Sequence, residues 1–524
     1  MTMRLFFRPL PAALLLAVLW TVCRLAFLAH TGIPHPVIHD EFSYLLGADT
    51  FAHGRLANPT PAFAKFFESP QELVSPTYAS KYPPGQAMFL AMGQVLFGSP
   101  FYGVILGNAL MLFTFCLMLF AWVPPRWALA VSAMFAFILW PGMYWTNSYW
   151  GGSVAASGGA LVLLAIGMYR TRQTPWEGGV FALGALLLFW TRPYEGGVFT
   201  VLVLIAFARE LWQKRRAGVV LAAVSIFALG IAWTGYDNYA VTGNPFLLPH
   251  LLHQRKYIVM PIFWFERPNP EPTYSNPRLA AFQGENGLEM RTIYQPMNPR
   301  WKGLVHALIA AVRKFERPLR IAVLLTLLVP VAFRDPVYRK TCLVFGVFLL
   351  ALAMETYQAQ HYAAPIWAAL ALMIAAWAEH AWILRIRRLH VGAVLVTLIL
   401  AAPAINAVSQ DVVGAERRQQ LSKSATSEIS WSERRAALIR RLSALPKPQL
   451  VFVRYPSADW RIHEEWVFNS ADIDHQRVVF AHDFGPEQDQ ALLQYYPDRT
   501  VWLLTFDPIS GLEHLQPYSR TESP

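Results

Sequence analysis

The chain has 524 residues, of which 55% are hydrophobic and only 15% are charged. Soluble proteins carry about 25% charged residues, so this composition excludes an ordinary soluble enzyme and predicts a polytopic α-helical membrane protein. The net charge of +11 does not indicate nucleic-acid binding, because the basic residues fall between apolar segments, where membrane topology accounts for them. Cys23, Cys116 and Cys342 lie inside apolar stretches without metal-ligand spacing, so no disulfide framework is predicted.

Eleven apolar segments are candidates for membrane spans, which need roughly 20 residues each. The segments are residues 10–30, 100–123, 127–143, 151–168, 178–191, 196–208, 217–235, 319–333, 341–355, 362–378 and 391–408. Residues 85–98 are apolar but short, and we expect them to form a helix that lies at the membrane interface. The retained first segment shows no small-x-small cleavage site of the kind that follows a signal peptide.

The positions of Lys and Arg predict the orientation of these spans. With the N-terminus in the cytoplasm, Arg126, Arg170 and the clusters at 209–216, 334–340 and 385–388 all fall in inside loops. The outside face then carries the stretches 31–99 and 236–316 and the tail. We expect residues 1–408 to form the membrane domain of a protein in a bacterial inner membrane.

The tail, residues 409–524, is expected to form a small α/β domain outside the cytoplasm. Residues 431–445 show helical spacing of apolar side chains, and residues 486–496 predict a second helix. Three short apolar runs, at 449–454, 477–481 and 500–505, predict buried strands. No motif in this domain indicates its role.

The stretch 36–44 carries adjacent acids, Asp40 and Glu41, just beyond the first span, with His39 before them and Tyr44 after. An arbitrary Asp-Glu pair is most often a solvated loop or a helix cap. Here a potential helix, 42–51, follows within a few residues of the membrane. A carboxylate held at such a boundary can act as a general base on an acceptor hydroxyl or amine.

Three further polar clusters lie on the same predicted face. Lys81 and Tyr82 precede a Pro-Pro turn, where the lysine is either a phosphate ligand or a side chain that extends to the headgroups. Arg192 and Glu195 lie in a tight turn and are either functional or paired with each other. The stretch 355–362 is either a polar lining or an aromatic-belt loop, whereas for 144–150 the belt interpretation is favoured.

With these residues in view, the chain resembles the GT-C superfamily of membrane glycosyltransferases over about residues 1–410. It is most similar to bacterial relatives of protein O-mannosyltransferases and of the lipid A aminoarabinose transferase. His39-Asp40-Glu41-Phe-Ser-Tyr44 resembles the acidic motif of the family's first outside loop. Lys81-Tyr-Pro-Pro84 is similar to its Lys-Pro-Pro element but contains Tyr82 as an additional residue.

The resemblance implies an inverting transfer of a sugar from a polyprenyl-phosphate carrier to a lipid, glycan or protein acceptor. In that scheme Asp40 deprotonates the acceptor, and Glu41 orients it or assists. Lys81 and Arg192 stabilise the departing phosphate. The remaining residues of the implied substrate site line the cavity, and they are His39, Tyr44, Tyr82, Glu195, Glu355, His361 and Tyr362. Some branches of the superfamily use a divalent metal, but the first loop shows no second carboxylate cluster that demands one.

Two other classes of protein remain as alternatives. A lipid or glycan transporter would place ionisable residues at the centres of spans and show internal repeats, whereas here the polar groups gather at one face. A membrane scaffold would act through its C-terminal domain. The chain contains no P-loop, no zinc-binding helix motif and no serine elbow, so the energy for any reaction must come from the substrate or from a gradient.

Overall fold

A computed structural model describes residues 8–140, 143–214, 216–297, 300–315, 317–357, 359–423 and 430–518. The helices of the membrane domain are α1 (Pro9–Thr31), α2 (His39–Ala52), α3 (Pro84–Phe97), α4 (Phe101–Trp122), α5 (Pro125–Ile138), α6 (Ser153–Tyr169), α7 (Pro175–Phe189), α8 (Pro193–Ala206), α9 (Ala208–Gln213), α10 (Ala217–Thr242), α11 (Pro249–Tyr257), α12 (Pro277–Gln283), α13 (Arg300–Arg313), α14 (Arg317–Leu328), α15 (Pro336–Leu352), α16 (Trp367–Ala381) and α17 (Val391–Lys423).

The predicted fold class is confirmed. Each of the eleven predicted apolar segments corresponds to a helix, and the short segment 85–98 corresponds to α3. Five helical segments of the described residues are long and apolar enough to cross a membrane: Pro9–Thr31, Phe101–Trp122, Ala217–Thr242, Gln360–Ala381 and Val391–Ser409. Four further helices, α5 to α8, are apolar but shorter than these five. The orientation of the spans and the interfacial position of α3 remain predictions.

Helix α16 lies at the centre of the membrane domain. It continues a short 3₁₀ helix, Gln360–Ile366. In the most apolar part of Gln360–Ala381, 94% of the residues are buried. Trp367 at its start stacks on Trp145, with 4.1 Å between ring centres. The polar residues just before α16 are therefore held by a packed core rather than by a free loop.

The C-terminal domain contains α18 (Trp431–Ser443), α19 (Pro486–Tyr495) and the strands β3 (Gln449–Val453), β4 (Val478–His482), β5 (Thr500–Phe506) and β6 (Glu513–Pro517). Strands β1 (Glu72–Leu73) and β2 (Ala79–Ser80) form a small separate hairpin in the first loop. The large sheet has the order β4-β3-β5-β6, in which β3 is parallel to both of its neighbours. Strand β6 pairs antiparallel with β5 and was missed because its sequence, Glu-His-Leu-Gln-Pro, is polar and largely exposed.

This domain packs directly on helix α2 and on the loop between α2 and α3. Phe468 stacks on Phe42 of α2, with 4.1 Å between ring centres. The His39 ring contacts the backbone carbonyl of Ile462 through Nε2 at 3.1 Å. The Ser69 hydroxyl donates to the Val467 carbonyl. The long connection between β3 and β4 is therefore a support for helix α2.

A buried ion pair joins the two parts of the chain. Arg278 of α12 donates through Nε to Glu465 at 3.0 Å, and both side chains are at most 5% exposed. The Arg278 guanidinium lies 3.6 Å from the ring centre of Tyr455, whose hydroxyl donates to the same carboxylate at 2.5 Å. Burial alone would raise the pKa of Glu465, but Arg278 and these hydrogen bonds outweigh burial and hold the pKa at about 2.

Glu465→Gln is expected to lower the stability of the folded protein by about 3 kcal/mol, because it leaves the Arg278 charge buried without its partner. Thermal unfolding of the purified protein in detergent measures the loss. The neighbouring Glu464→Gln is the matched control, since Glu464 only pairs with Arg461 at the surface and such pairs contribute about 0–1 kcal/mol. Equal melting temperatures for the two variants would show that the buried pair does not join the domains.

Candidate active site

A single cleft gathers residues from four separate parts of the chain. It holds about 920 Å³ of space, counted to its open mouth. Seven of the eleven residues predicted for the site line it: Asp40, Lys81, Tyr82, Arg192, Glu195, Glu355 and Tyr362. Their polar clusters are separated in the sequence, between Asp40 and Tyr362, and the helix packing brings them together.

Asp40 and Glu41 point in different directions from the first turn of α2. The helix begins at His39, three residues earlier than the sequence predicts, and successive helical residues are about 100° apart around the axis. Asp40 faces the cleft, where the Tyr82 hydroxyl donates to its Oδ1. Its Oδ2 has no hydrogen-bond partner among the described residues. Asp40 therefore presents one free carboxylate oxygen to a ligand.

Glu41 is buried and does not line the cleft. Its Oε2 accepts from the backbone N–H of Val37 at 2.7 Å, and its Oε1 accepts from that of Tyr149 at 3.0 Å. Burial raises the pKa of this carboxyl. The geometry makes Glu41 the residue that caps the start of α2, because its carboxylate accepts hydrogen bonds from the backbone just before the helix.

A backbone hydrogen bond joins the Pro-Pro turn after Lys81 to the turn that carries Arg192. The Gly85 amide donates to the Trp190 carbonyl at 2.7 Å. A Cβ at position 85 would lie 2.7 Å from that same oxygen, so only glycine allows this approach. The Lys81 ammonium lies 5.1 Å from the centre of the Tyr82 ring and has no hydrogen-bond acceptor among the described residues. Burial lowers its pKa, which Asp40 and Glu289 partly oppose.

Arg192 and Lys314 contribute two more cations beside one aromatic ring. The Arg192 guanidinium is 4.3 Å from the Tyr362 ring centre, and the Lys314 ammonium is 5.0 Å from it. Arg192 Nη1 is 3.8 Å from Glu195, and Lys314 Nζ is 3.6 Å from Glu355. Arg192 Nη2 is buried without a hydrogen-bond partner in the described chain. Arg192 is thus paired with Glu195, but its Nη2 group is still available to donate a hydrogen bond.

The stretch 236–316 adds residues that the sequence did not identify. His250 and Gln254 of α11 line the cleft beside Tyr357. The Tyr357 hydroxyl donates to Glu289 at 2.8 Å. Burial raises the pKa of the Glu289 carboxyl to about 7, although Lys81 and this hydrogen bond oppose the rise. These residues carry no short motif, and only the length and aromatic content of the stretch marked it as unusual.

The raised pKa of Glu289 predicts a pH dependence of stability. The folded-state pKa of Glu289 exceeds the unfolded value near 4.3. Its contribution to the free energy of unfolding is therefore fully present below about pH 4 and is lost as the pH rises through 7. The loss amounts to about 3 kcal/mol. Glu289→Gln is expected to reduce the fall in melting temperature between pH 5 and pH 8. The exposed neighbour Glu285→Gln should retain the full fall, and identical profiles for all three proteins would contradict the assignment.

Four predicted site residues lie behind the cleft wall instead of in it. His39 is buried against the C-terminal domain, and burial lowers its pKa to about 4. Tyr44 stacks on Tyr82, with 4.3 Å between ring centres. His361 contacts the Tyr144 hydroxyl through Nδ1 at 2.8 Å. Together with Glu41, these residues support the groups that face the cleft.

The stretch 144–150 is not a lipid-facing aromatic belt, which corrects the interpretation favoured from the sequence. Trp145 is only 1% exposed within the protein, and Tyr144 reaches His361 at the back of the cleft. The belt interpretation was wrong because the aromatic residues fill the space above α16. Spacing alone does not distinguish a lipid-facing ring from a buried one.

The described residues do not form a metal site. No group of three or more His, Cys, Asp or Glu side chains in the described ranges could hold a metal ion. The Tyr82 hydroxyl donates to Asp40, and Lys81 and His463 interact with it electrostatically, whereas a divalent cation such as Mg²⁺ takes several oxygen ligands. The donor set around Asp40 therefore does not fit a resident cation.

No protein-family model and no curated protein matches the chain. Among solved structures, the archaeal oligosaccharyltransferase AglB from Archaeoglobus fulgidus, in complex with an inhibitory peptide and a dolichol-phosphate, is 13% identical, with a TM-score of 0.46 over 98% of this chain and 74% of that one. ArnT from Cupriavidus metallidurans, bound to undecaprenyl phosphate, is 15% identical, with a TM-score of 0.47 over 93% and 92%. Since both scores are below 0.5, the function is inferred from the cleft.

Proposed function

We propose that the protein is a glycosyltransferase that moves a sugar from a polyprenyl-phosphate carrier to an acceptor at the outer face of a bacterial inner membrane. The observation that carries the proposal is the convergence of Asp40, Lys81 and Arg192 in one cleft. Asp40 is a base that can take the proton of the acceptor. Lys81 and Arg192 are cations with unused N–H donors that can stabilise the negative charge of the departing phosphate.

Asp40 is the general base of the proposed reaction. The Tyr82 hydroxyl occupies one carboxylate oxygen, which fixes the rotamer and leaves Oδ2 for the acceptor. As the acceptor oxygen or nitrogen forms its bond to the anomeric carbon, its proton passes to Asp40. A base in hydrogen-bond reach of this proton contributes about 10²- to 10⁴-fold to the rate.

Lys81 and Arg192 hold the leaving group. The bond between the anomeric carbon and the phosphate oxygen breaks with its electron pair on oxygen, so negative charge grows there. Fixed cations in a partly buried cleft stabilise such charge more than water does. Tyr362 keeps the Arg192 guanidinium in place through its ring face. Because a phosphate ester is already a good leaving group, no second acid is required.

Glu41 acts through position and not by touching substrate. It accepts backbone hydrogen bonds from Val37, Ile38 and Tyr149, which join the first turn of α2 to the segment beside α16. His39 and Tyr44 support the same turn from its other sides.

A transfer assay tests this function. The purified full-length protein in liposomes is offered a panel of radiolabelled polyprenyl-phosphate sugars, with envelope extract that contains lipids, glycans and proteins as acceptors. Label that moves from one carrier to an acceptor, and does so faster than in protein-free liposomes, is the expected result. A folded protein that transfers no sugar from any carrier would overturn the proposal.

A further inference from the structure

A second cavity lies between the membrane domain and the C-terminal domain, on the opposite side of α2 from the cleft. It holds about 1170 Å³ of space up to its open mouth. Pro36, Gly98 and Pro100 line it. Pro36 lies in the connection between α1 and α2, and Gly98 and Pro100 flank the end of α3 and the start of α4. In the predicted topology, this is the level at which apolar helices meet their polar loops and therefore the level of the lipid headgroups.

Two arginines of the C-terminal domain line this cavity. Arg435 of α18 donates through Nε to the Trp466 carbonyl at 3.1 Å and through Nη2 to the Phe468 carbonyl at 2.6 Å. Arg477 donates through Nε and Nη2 to the carbonyls that follow α18. Each guanidinium keeps Nη1 without an acceptor among the described residues. Hydrogen bonds to backbone carbonyls therefore hold both guanidinium groups in place, and the Nη1 group of each arginine remains available to a ligand.

The single carboxylate that lines the cavity does not neutralise these arginines. Asp49 accepts through Oδ1 from the Gln94 amide at 2.9 Å and through Oδ2 from the Ala471 backbone at 2.8 Å. It also lies 3.4 Å from His53. Both of its oxygens are thus already engaged. Glu72 and Glu465 act on the charge of Arg435 from outside the cavity, so the lining itself offers two cations and no free carboxylate oxygen.

Uncharged polar side chains and apolar side chains share the remaining wall, and the apolar part continues onto the outside of the protein. Phe42, Leu45 and Phe468 line the cavity. Just beyond it, the last turn of α3 exposes Val95, Leu96 and Phe97, which are 65%, 62% and 56% accessible. A ligand that fits this arrangement carries an anion at one end and hydrocarbon at the other.

We propose that this cavity binds an anionic phospholipid, with its phosphate on Arg435 and Arg477 and its acyl chains along the end of α3. Arginine suits a phosphate because its planar guanidinium offers parallel donors. The lipid couples the C-terminal domain to the membrane surface and to the helix that carries Asp40. This site is separate from the cleft, and its occupancy is measured without any sugar donor.

Native mass spectrometry of the full-length protein in detergent tests the site. The protein is titrated with phosphatidylglycerol, with phosphatidylcholine and with inorganic phosphate. Wild type is expected to retain phosphatidylglycerol about tenfold better than phosphatidylcholine, a factor that one charge-assisted hydrogen bond supplies. The double substitution Arg435→Gln with Arg477→Gln is expected to remove this preference.

Two matched variants make the test specific. Arg440 and Arg441 lie exposed on the same helix, outside the cavity, so the double substitution of both by Gln should keep the preference. Leu45→Trp fills the cavity while retaining both arginines and should lose lipid retention even if the arginine variant misfolds. Equal loss in the Arg440 and Arg441 variant, or unchanged retention in Leu45→Trp, would overturn the proposal. So would displacement of the lipid by millimolar phosphate.

Discussion

Asp40→Asn is expected to lower the rate of sugar transfer by about a thousandfold. The amide has nearly the same shape as the carboxylate, and its oxygen still accepts from the Tyr82 hydroxyl, so the start of α2 keeps its structure. What disappears is the ability to take the acceptor's proton, a contribution of about 10²- to 10⁴-fold. Single-turnover transfer of labelled sugar in liposomes measures the effect on the chemical step.

The matched control for this variant is Asp498→Asn. Asp498 lies exposed in the C-terminal domain, far in the sequence from the cleft residues, and the same chemical change there should leave the rate unaltered. Expression, membrane insertion and melting temperature should be equal in both variants and wild type. Transfer by Asp40→Asn within a few-fold of the wild-type rate would remove Asp40 from the role of base.

Lys81→Gln is expected to reduce kcat/KM for the lipid-linked donor by about a hundredfold. The ammonium has no acceptor among the described residues, so its removal breaks no hydrogen bond within the protein, although it removes a charge that acts on Asp40 and Glu289. Fixed charges that face a developing anion contribute about 10²- to 10³-fold. Most of the loss should appear in kcat, because the charge on the phosphate grows towards the transition state.

Lys81→Arg and Lys447→Gln complete this experiment. The arginine variant retains the positive charge with a different geometry, so it should recover part of the lost kcat. Lys447 is exposed and outside the cleft, and its replacement should have no effect on either constant. A loss in the Lys81→Gln variant that appears only in KM would show that the lysine binds the donor equally before and during the reaction.

The gathering of distant polar clusters was predictable from the sequence because topology alone places them on one face. The positive-inside pattern assigned the Lys81, Arg192 and Glu355 stretches to the same side, and each of these residues lines the cleft. Hydrophobic segments also located the helices, since burial in lipid or core requires long apolar runs. In this respect the membrane simplifies prediction, because it limits where polar residues can lie.

The separate roles of Asp40 and Glu41 were not predictable, because they depend on where α2 begins. A start at residue 42 would have left both acids in a loop with similar surroundings. The observed start at His39 places Glu41 in the first turn, where it accepts from the backbone before the helix. The signal in the sequence was an acidic residue three positions after Ile38, which is the spacing of a helix-capping acid.

Sequence patterns also did not predict how the C-terminal domain contacts the membrane domain. Its strands and helices were predicted from apolar periodicity, but its docking depends on the irregular stretch 458–473, which has no periodicity. His39 is buried by Ile462 of that stretch, and Arg278 finds Glu465 there. Such contacts join positions hundreds of residues apart, and a single sequence contains no record of them.

The most direct test of the central claim is the stoichiometry of the reaction. Purified protein in liposomes receives a labelled polyprenyl-phosphate sugar and its acceptor, and both free polyprenyl phosphate and modified acceptor are quantified by mass spectrometry. Glycosyl transfer predicts one carrier phosphate released for each sugar moved, with both products formed about a thousandfold more slowly by Asp40→Asn. A carrier that crosses the bilayer with its sugar still attached, at the same rate in wild type and in Asp40→Asn, would contradict transfer and indicate a lipid transporter.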